Sequence, residues 1–234
     1  LMAFETEAAS VYQVRPRHRH EEVQEVIPAD YIGVMVTDRG RSYDAQAFND
    51  VRQQKCLAHI QRSLGEVLAT KTGRARDVGE GLKARLQAAL QLWHAYHDGS
   101  ATDFVTDAKA LREELTYQLR DRRLKDPDNQ RLLNNLGWHH DRCNLVRFLE
   151  DPRLEPTNNR AERALRPAVI ARKVSQCSKN RRGTHAFEAF TSVVRTLTKQ
   201  GIDSLVEGLY HLFRFPNIQD VPPRAFVTIR PANQ

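Results

Sequence analysis

Tyr31-Ile32-Gly33-Val34-Met35-Val36-Thr37-Asp38 is an apolar run that ends on a carboxylate. Near-continuous apolarity over this length suits a strand buried on both faces, and Thr37-Asp38-Arg39-Gly40 marks the turn that follows. Upstream, residues 9–15 alternate as a strand does, and Arg17 to Ile27, rich in Glu and closed by Pro28, reads as a short helix. Strand, helix, strand is a fragment of an α/β core. An acid at the carboxyl end of such a strand stands where open α/β sheets bind ligands, and its oxygens suit Mg2+. An Asp there is also an ordinary turn former, and spacing alone does not separate the two readings.

Downstream the period changes. From about Leu57 to Glu150 it is helical throughout, with one stripe at Leu82, Leu86, Leu90 and Trp93 and another at Phe104, Ala108, Leu111, Leu115 and Leu119. Leu132, Leu133, Leu136, Leu145, Val146 and Leu149 predict a third helix opening near Asp128. Such helices pack as a bundle, and nearly all their residues read as scaffold. After Asp151-Pro152 the spacing predicts helices broken at Pro167 and near Gly183 and Gly201, then an amphipathic segment from Ile202 to Phe213.

The 234-residue chain carries a net charge of +7, and the excess is local. Arg153 to Lys199 holds eleven Arg and Lys against three Glu. A block of this kind is what a polyanion-binding surface needs, although charge runs are often only solvated helical faces. At its centre, Asn158-Asn159-Arg160-Ala161-Glu162-Arg163 puts Glu162 at a helix start. There it either closes a capping box with Asn159 or points to a metal. No apolar run approaches a membrane span, and three cysteines give no disulfide framework, which suits a reducing cytoplasm.

Asn158 to Pro167, continued through Arg172-Lys173 to Gly183 and through Ser192 to Gly201, resembles the signature of the insertion-sequence-66 family of bacterial transposases. Gly33 to Asp38 with Tyr43 resembles that family's second acidic motif. Gln54-Lys55-Cys56-Leu57-Ala58-His59-Ile60-Gln61-Arg62 resembles the segment after it. The motifs fall in the family's order and extend to about Phe213.

The resemblance implies an RNase H-like domain in which Asp, Asp and Glu hold two Mg2+ (or Mn2+) ions, Asp38 being the second acid and Glu162 the third. It implies cleavage and joining of double-stranded DNA, transposon ends and target, by a homo-oligomer in the bacterial cytoplasm, at the nucleoid when bound. Arg160, Arg163, Arg166, Arg172, Lys173, Lys179, Arg181, Arg182, His59 and Arg62 would contact the DNA. The expected fold is α/β, mostly α. A partial RNase H-like core over residues 1–57 carries the second acid, and an all-helical insertion follows over 58–152. A basic helical segment over 153–213 completes the core, and a Pro-rich tail covers 214–234.

The family pattern puts its first acid on an early strand, with a second strand before residues 9–15, and no room for either remains ahead of Leu1. The chain therefore reads as N-terminally truncated and is expected not to cleave DNA by itself. Glu5 and Glu7 stand at the wrong point of the pattern to replace that acid, and Thr157 stands where an acid is expected. A DNA-binding remnant without catalysis and a structure-selective nuclease of the same fold are the other readings. Cys56-x-x-His59 and His140-x-x-Cys143 have zinc-ligand spacing, but the long interval between them makes a structural Zn2+ the weaker reading. Cys56 reads as a small buried residue, and His139 and His140 as helix-surface residues. Arg15, Arg17, His18, Arg19 and His20 read as a solvated loop that could also touch phosphate. No Gly-rich phosphate loop is present.

Overall fold

The computed structural model describes residues 1–120, 123–175 and 180–214. In chain order the elements are β1 (Met2–Glu5), β2 (Ser10–Gln13), α1 (His20–Gln24), β3 (Val34–Thr37) and β4 (Arg52–Lys55). The helices α2 (Leu57–Leu68), α3 (Gly73–Asp98), α4 (Phe104–Arg120) and α5 (Pro127–Asp141) follow, then α6 (Asn159–Ser175), α7 (Arg181–Lys199) and α8 (Leu205–Arg214). The chain is mostly helical, with two two-stranded sheets among the described residues. It divides into two compact units, residues 1–18 with 159–234, and residues 19–158. The Pro-rich tail expected at 214–234 lies, from Phe215 on, outside the described residues, as do Cys177 and Lys179.

In the unit of residues 19–158, β3 and β4 pair in parallel, Val34 opposite Arg52 and Thr37 opposite Lys55. The strand expected over 31–36 begins only at Val34. Ile32 is 88% exposed, and burial along β3 alternates, so a run that looked buried on both faces is covered on one. The chain β4, Arg-Gln-Gln-Lys, has no apolar signal, yet Gln53, Gln54 and Lys55 are buried. Several of their polar groups are bonded by the segment after α5. Lys55 N donates to Asn144 O (2.7 Å), Gln54 Nε2 to Leu145 O (2.9 Å) and Arg147 Nε to Gln53 O (3.0 Å).

The core of this unit is the helical layer read from the stripes. Leu57, Ile60 and Leu64 of α2 pack with Leu82 and Leu86 of α3, Leu115 and Leu119 of α4, and Leu133 and Leu136 of α5. Pro127 opens α5 at the position where its missing N–H costs nothing, and Asp126 caps it by accepting from Asn129 N (2.9 Å). The helix does not run on to Leu149 as its leucines suggested. It stops at Asp141, and Cys143 takes a left-handed φ of 55°. Leu145, Val146 and Leu149 are still buried, but from a turn and a short 3-10 segment, Arg147–Leu149. His139 is also corrected: it is buried, not on the surface, whereas half-buried His140 bonds Thr116 Oγ1 through Nε2 (2.8 Å).

In the unit of residues 1–18 and 159–234, β1 and β2 form an antiparallel hairpin with Met2 opposite Gln13 and Glu5 opposite Ser10. A strand therefore does precede residues 9–15, contrary to the sequence expectation. The outer edge of β2 is closed by side chains of α7 instead of another strand. Ser10 N donates to Thr196 Oγ1 (3.1 Å), Tyr12 N to Ser192 Oγ (2.9 Å) and Val14 N to Glu188 Oε1. Four helical residues rise about 6 Å and two strand residues about 6.7 Å. Acceptors at every fourth position of a helix thus match donors at every second position of a strand. The helix α6 is not broken at Pro167. The proline lies mid-helix and is exposed, so the helix loses the one backbone bond of its missing N–H and continues. The breaks near Gly183 and Gly201 are present. Asn180 caps α7 by accepting from Gly183 N, and Gly201 turns the chain with φ 68°.

Candidate functional site

Asp38 directly follows β3, at the carboxyl end of the parallel pair. Its Oδ1 accepts from Gly40 N (2.8 Å), a local turn that holds the carboxylate in place. A Cβ at position 40 would come within 2.9 Å of Asp38 Oδ1 and 3.3 Å of the Tyr43 ring, so a side chain there would displace the carboxylate from its turn. Tyr43 is pushed up to about 12, by burial first and by the Asp38 charge second. The turn-former reading and the ligand reading are thus compatible, since one oxygen makes the turn.

Beside Asp38 stands a network the sequence did not announce. The side chain of Lys55 is fully buried, with Nζ 2.8 Å from Asp44 Oδ1 and 3.3 Å from Thr37 Oγ1. Burial pushes the Lys55 ammonium below its ordinary value, and Asp44 and Asp38 oppose that shift. Arg39 is likewise lowered by burial, and it donates from Nη2 to Asn135 Oδ1 (2.5 Å). His139 is held down at about 4, first by burial, with Lys55, Arg39 and Arg142 adding to the shift and Asp44 opposing it. It stays neutral near pH 7 in a largely cationic surrounding. Lys55 lies within a motif already quoted, but Asp44 ends a short 3-10 segment, Arg41–Asp44, and nothing in its spacing pointed to Lys55.

Cys56 is fully buried at the start of α2, and its N–H extends the ladder to Thr37 O (2.7 Å). On α2, His59 is half-buried and Arg62 is exposed.

Glu162 belongs to the other unit, in the first turn of α6, where it is exposed. Arg163, Arg166, Arg172 and Lys173 are exposed on the same helix, and Arg160 is half-buried. Arg163, Arg166 and Lys173 share one face by helical spacing, and Arg172 points away from it. Arg181 and Arg182 are exposed at the start of α7. Arg15 is not a loose loop cation. It donates to Glu188 Oε1 (2.6 Å) within this unit.

Among the described residues, no three His, Cys, Asp or Glu side chains stand close enough together to hold a metal ion. The donor chemistry of the two candidate acids nevertheless suits a hard cation, because carboxylate oxygens are the ligands Mg2+ prefers. Among the described residues, the hydrogen bond that Asp38 accepts is made through Oδ1. No helix among the described residues is long and apolar enough to cross a membrane.

No curated protein and no solved structure matches the chain. The family model described as Transposase IS66 family matches residues 2–186, a span that includes Asp38, Lys55 and Glu162. That is more than three quarters of the chain, and it runs through both units. The chain therefore belongs to the IS66 transposase family.

Proposed function

We propose that this chain is the catalytic segment of a DNA transposase, with an RNase H-like core in which Asp38 and Glu162 serve as metal-binding acids. The observation that carries the reading is the position of Asp38. It is an aspartate fixed by its own turn at the carboxyl end of a parallel strand pair, inside a family match that also spans Glu162. Mg2+ or Mn2+ held by these carboxylates would polarise the phosphodiester and lower the pKa of water in DNA strand cleavage and transfer.

The chain's own residues supply the rest. Gly40 N–H fixes the rotation of the Asp38 carboxylate, so that a single oxygen remains to be offered. Lys55 and Asp44 neutralise each other beside it, which leaves the charge at this edge set by Asp38. The exposed arginines and lysines of α6 and α7, Arg163, Arg166, Arg172, Lys173, Arg181 and Arg182, bind the phosphates of double-stranded DNA, and Arg160 supports them. His59 and Arg62 of α2 are the proposed contacts in the other unit. Lys179, assigned to the same role from sequence, lies outside the described residues. Assembly of more than one copy on DNA belongs to this proposal as well.

Titration of the purified chain with Mn2+, followed by electron paramagnetic resonance, tests the acids. Asp38→Asn and Glu162→Gln are each expected to weaken binding by roughly tenfold or more, as losing a ligand should exceed losing an outer-shell partner. Unchanged Mn2+ affinity in both variants would remove them from the site.

A further inference from the structure

We infer that a cavity in the unit of residues 19–158 is a binding site for a DNA phosphodiester, formed by Arg52, Arg142 and Arg147 around Trp138. The inference rests on the transposase reading and adds to it a contact that neither the acids nor the α6–α7 cations provide.

The cavity has a volume of about 240 Å³ and opens beside the loop that leads from Asp38 to β4, with Tyr43 and Phe48 in its wall. It is too small for a base pair and of the right order for a phosphate with part of its sugar. Arg142 sits over Trp138, its guanidinium carbon 3.8 Å from the ring centre. A cation–π contact of this kind restrains the guanidinium without using up its N–H donors, which stay available to an anion. Arg147 is held from the other side, donating to Gln53 O (3.0 Å) and to Arg142 O (3.1 Å), and Arg52 donates to Ile32 O.

Charge favours an anion. Of the two acids in the lining, Asp44 is neutralised by Lys55, which leaves exposed Asp50 against three guanidinium groups. Arg147 is partly offset by Glu150 at 3.6 Å. No ion pair among the described residues engages Arg52 or Arg142. A second cavity nearby, between α4 and α5, differs on this point, because Arg112 in its lining is bound to Glu150 at 2.6 Å.

The backbone is also committed to this arrangement. Cys143, directly after Arg142, is the one residue other than glycine with a positive φ among the described residues. Such a conformation is strained for a residue other than glycine and persists where the surroundings fix it. Here Asn144 does so, its N–H donating to His139 O (2.8 Å). In the orientation that satisfies its side chain, the amide donates to Arg142 O and Gln53 O, both 3.1 Å. Helical spacing puts Arg142 over Trp138, and the strained turn after it brings Arg147 back beside Arg142.

The test is fluorescence anisotropy of a fluorescein-labelled DNA duplex with the full chain, as a function of salt. The proteins are wild type, Arg142→Ala, Arg52→Gln, Arg163→Ala on α6, and Arg74→Ala, an exposed residue of α3 away from the cavity. The internal bonds at position 142 use its backbone, so Arg142→Ala keeps the fold. Its circular dichroism and melting temperature check this.

The expected result is weaker binding for Arg142→Ala and Arg52→Gln. In each, the slope of log affinity against log salt falls by about 0.9, the loss of one phosphate contact, while Arg74→Ala behaves as wild type. Wild-type slopes for both cavity variants, with a reduced slope for Arg163→Ala, would overturn the cavity site and leave the DNA reading standing. A flat salt dependence in wild type would overturn both. Binding of inorganic phosphate that is lost in Arg142→Ala, with duplex affinity and salt slope unchanged in the same variant, would mark a free-phosphate site and overturn the assignment to DNA.

Discussion

The Lys55 ammonium lies 2.8 Å from an Asp44 carboxylate oxygen with its own side chain wholly removed from solvent. A buried ion pair is a weak source of stability but a costly one to break, since the remaining charge keeps its desolvation penalty. Asp44→Ala is therefore expected to destabilise the chain by about 3 kcal/mol. Lys55→Met combined with Asp44→Asn should recover most of that loss, because no buried charge remains. Urea unfolding of the three proteins measures this. A double variant no more stable than Asp44→Ala would show that the pair contributes something other than mutual neutralisation.

His139 connects the same network to pH. Its folded-state value is held down at about 4, mainly by burial, against 6.5 for a free imidazole. Between these values the unfolded chain binds a proton that the folded chain does not. The stability is therefore complete above pH 6.5 and declines as pH falls towards 4. The loss is expected to be about 3 kcal/mol. Unfolding midpoints measured across this window should decline less steeply in His139→Gln. If wild type and variant decline in parallel, His139 is not the titrating group.

The contrast between β3 and β4 shows what was legible. Val34-Met35-Val36 declared itself by apolar content, and the stripes of α3 and α4 by period, because burial in those elements is carried by hydrocarbon. Gln53-Gln54-Lys55 is buried through hydrogen bonds to residues about ninety positions later and through Asp44, so no local period records it. The hairpin strand β1 is four residues long and depends on its partner strand and on α6. Ile32 misled in the opposite sense, because an apolar side chain can remain exposed at the approach to a strand. Asp38 was visible from its place after the strand, and Glu162 gained its meaning from the resemblance alone. Trp138 and Arg142, four apart on one helical face, did carry a readable signal for a stacked pair.

Tyr43 offers an optical report on Asp38. Its phenol is raised to about 12, partly by the Asp38 charge. Asp38→Asn removes that charge while its amide oxygen still accepts from Gly40 N, so the turn survives. Absorbance titration should then show the highest tyrosine transition moving down, with the melting temperature near that of wild type. Asp38→Ala should lower the melting temperature too, as the Gly40 bond is lost at a cost of about 1 kcal/mol. A Tyr43→Phe control assigns the transition. If the highest transition survives in that control, it belongs to another tyrosine.

Glu188 binds the hairpin unit from the helix side. It is buried on α7, accepts from Val14 N, and pairs with Arg15 (2.6 Å) and His185 (3.1 Å). Ser192 and Thr196 continue the same row to Tyr12 and Ser10. Because β2 has no strand on this edge, removing an acceptor leaves a backbone donor stranded. Glu188→Ala strands Val14 N–H and deprives Arg15 of its partner, which should cost about 3 kcal/mol. Glu188→Gln keeps an acceptor for Val14 and loses only the charge, so about 1 kcal/mol is expected. Ser192→Ala should act more narrowly, speeding amide exchange at Tyr12 with little change at Ala3, its partner within the hairpin. Hydrogen exchange read residue by residue by NMR distinguishes these cases. Equal protection of Tyr12 and Val14 in wild type and all three variants would mean that the α7 row does not hold the strand.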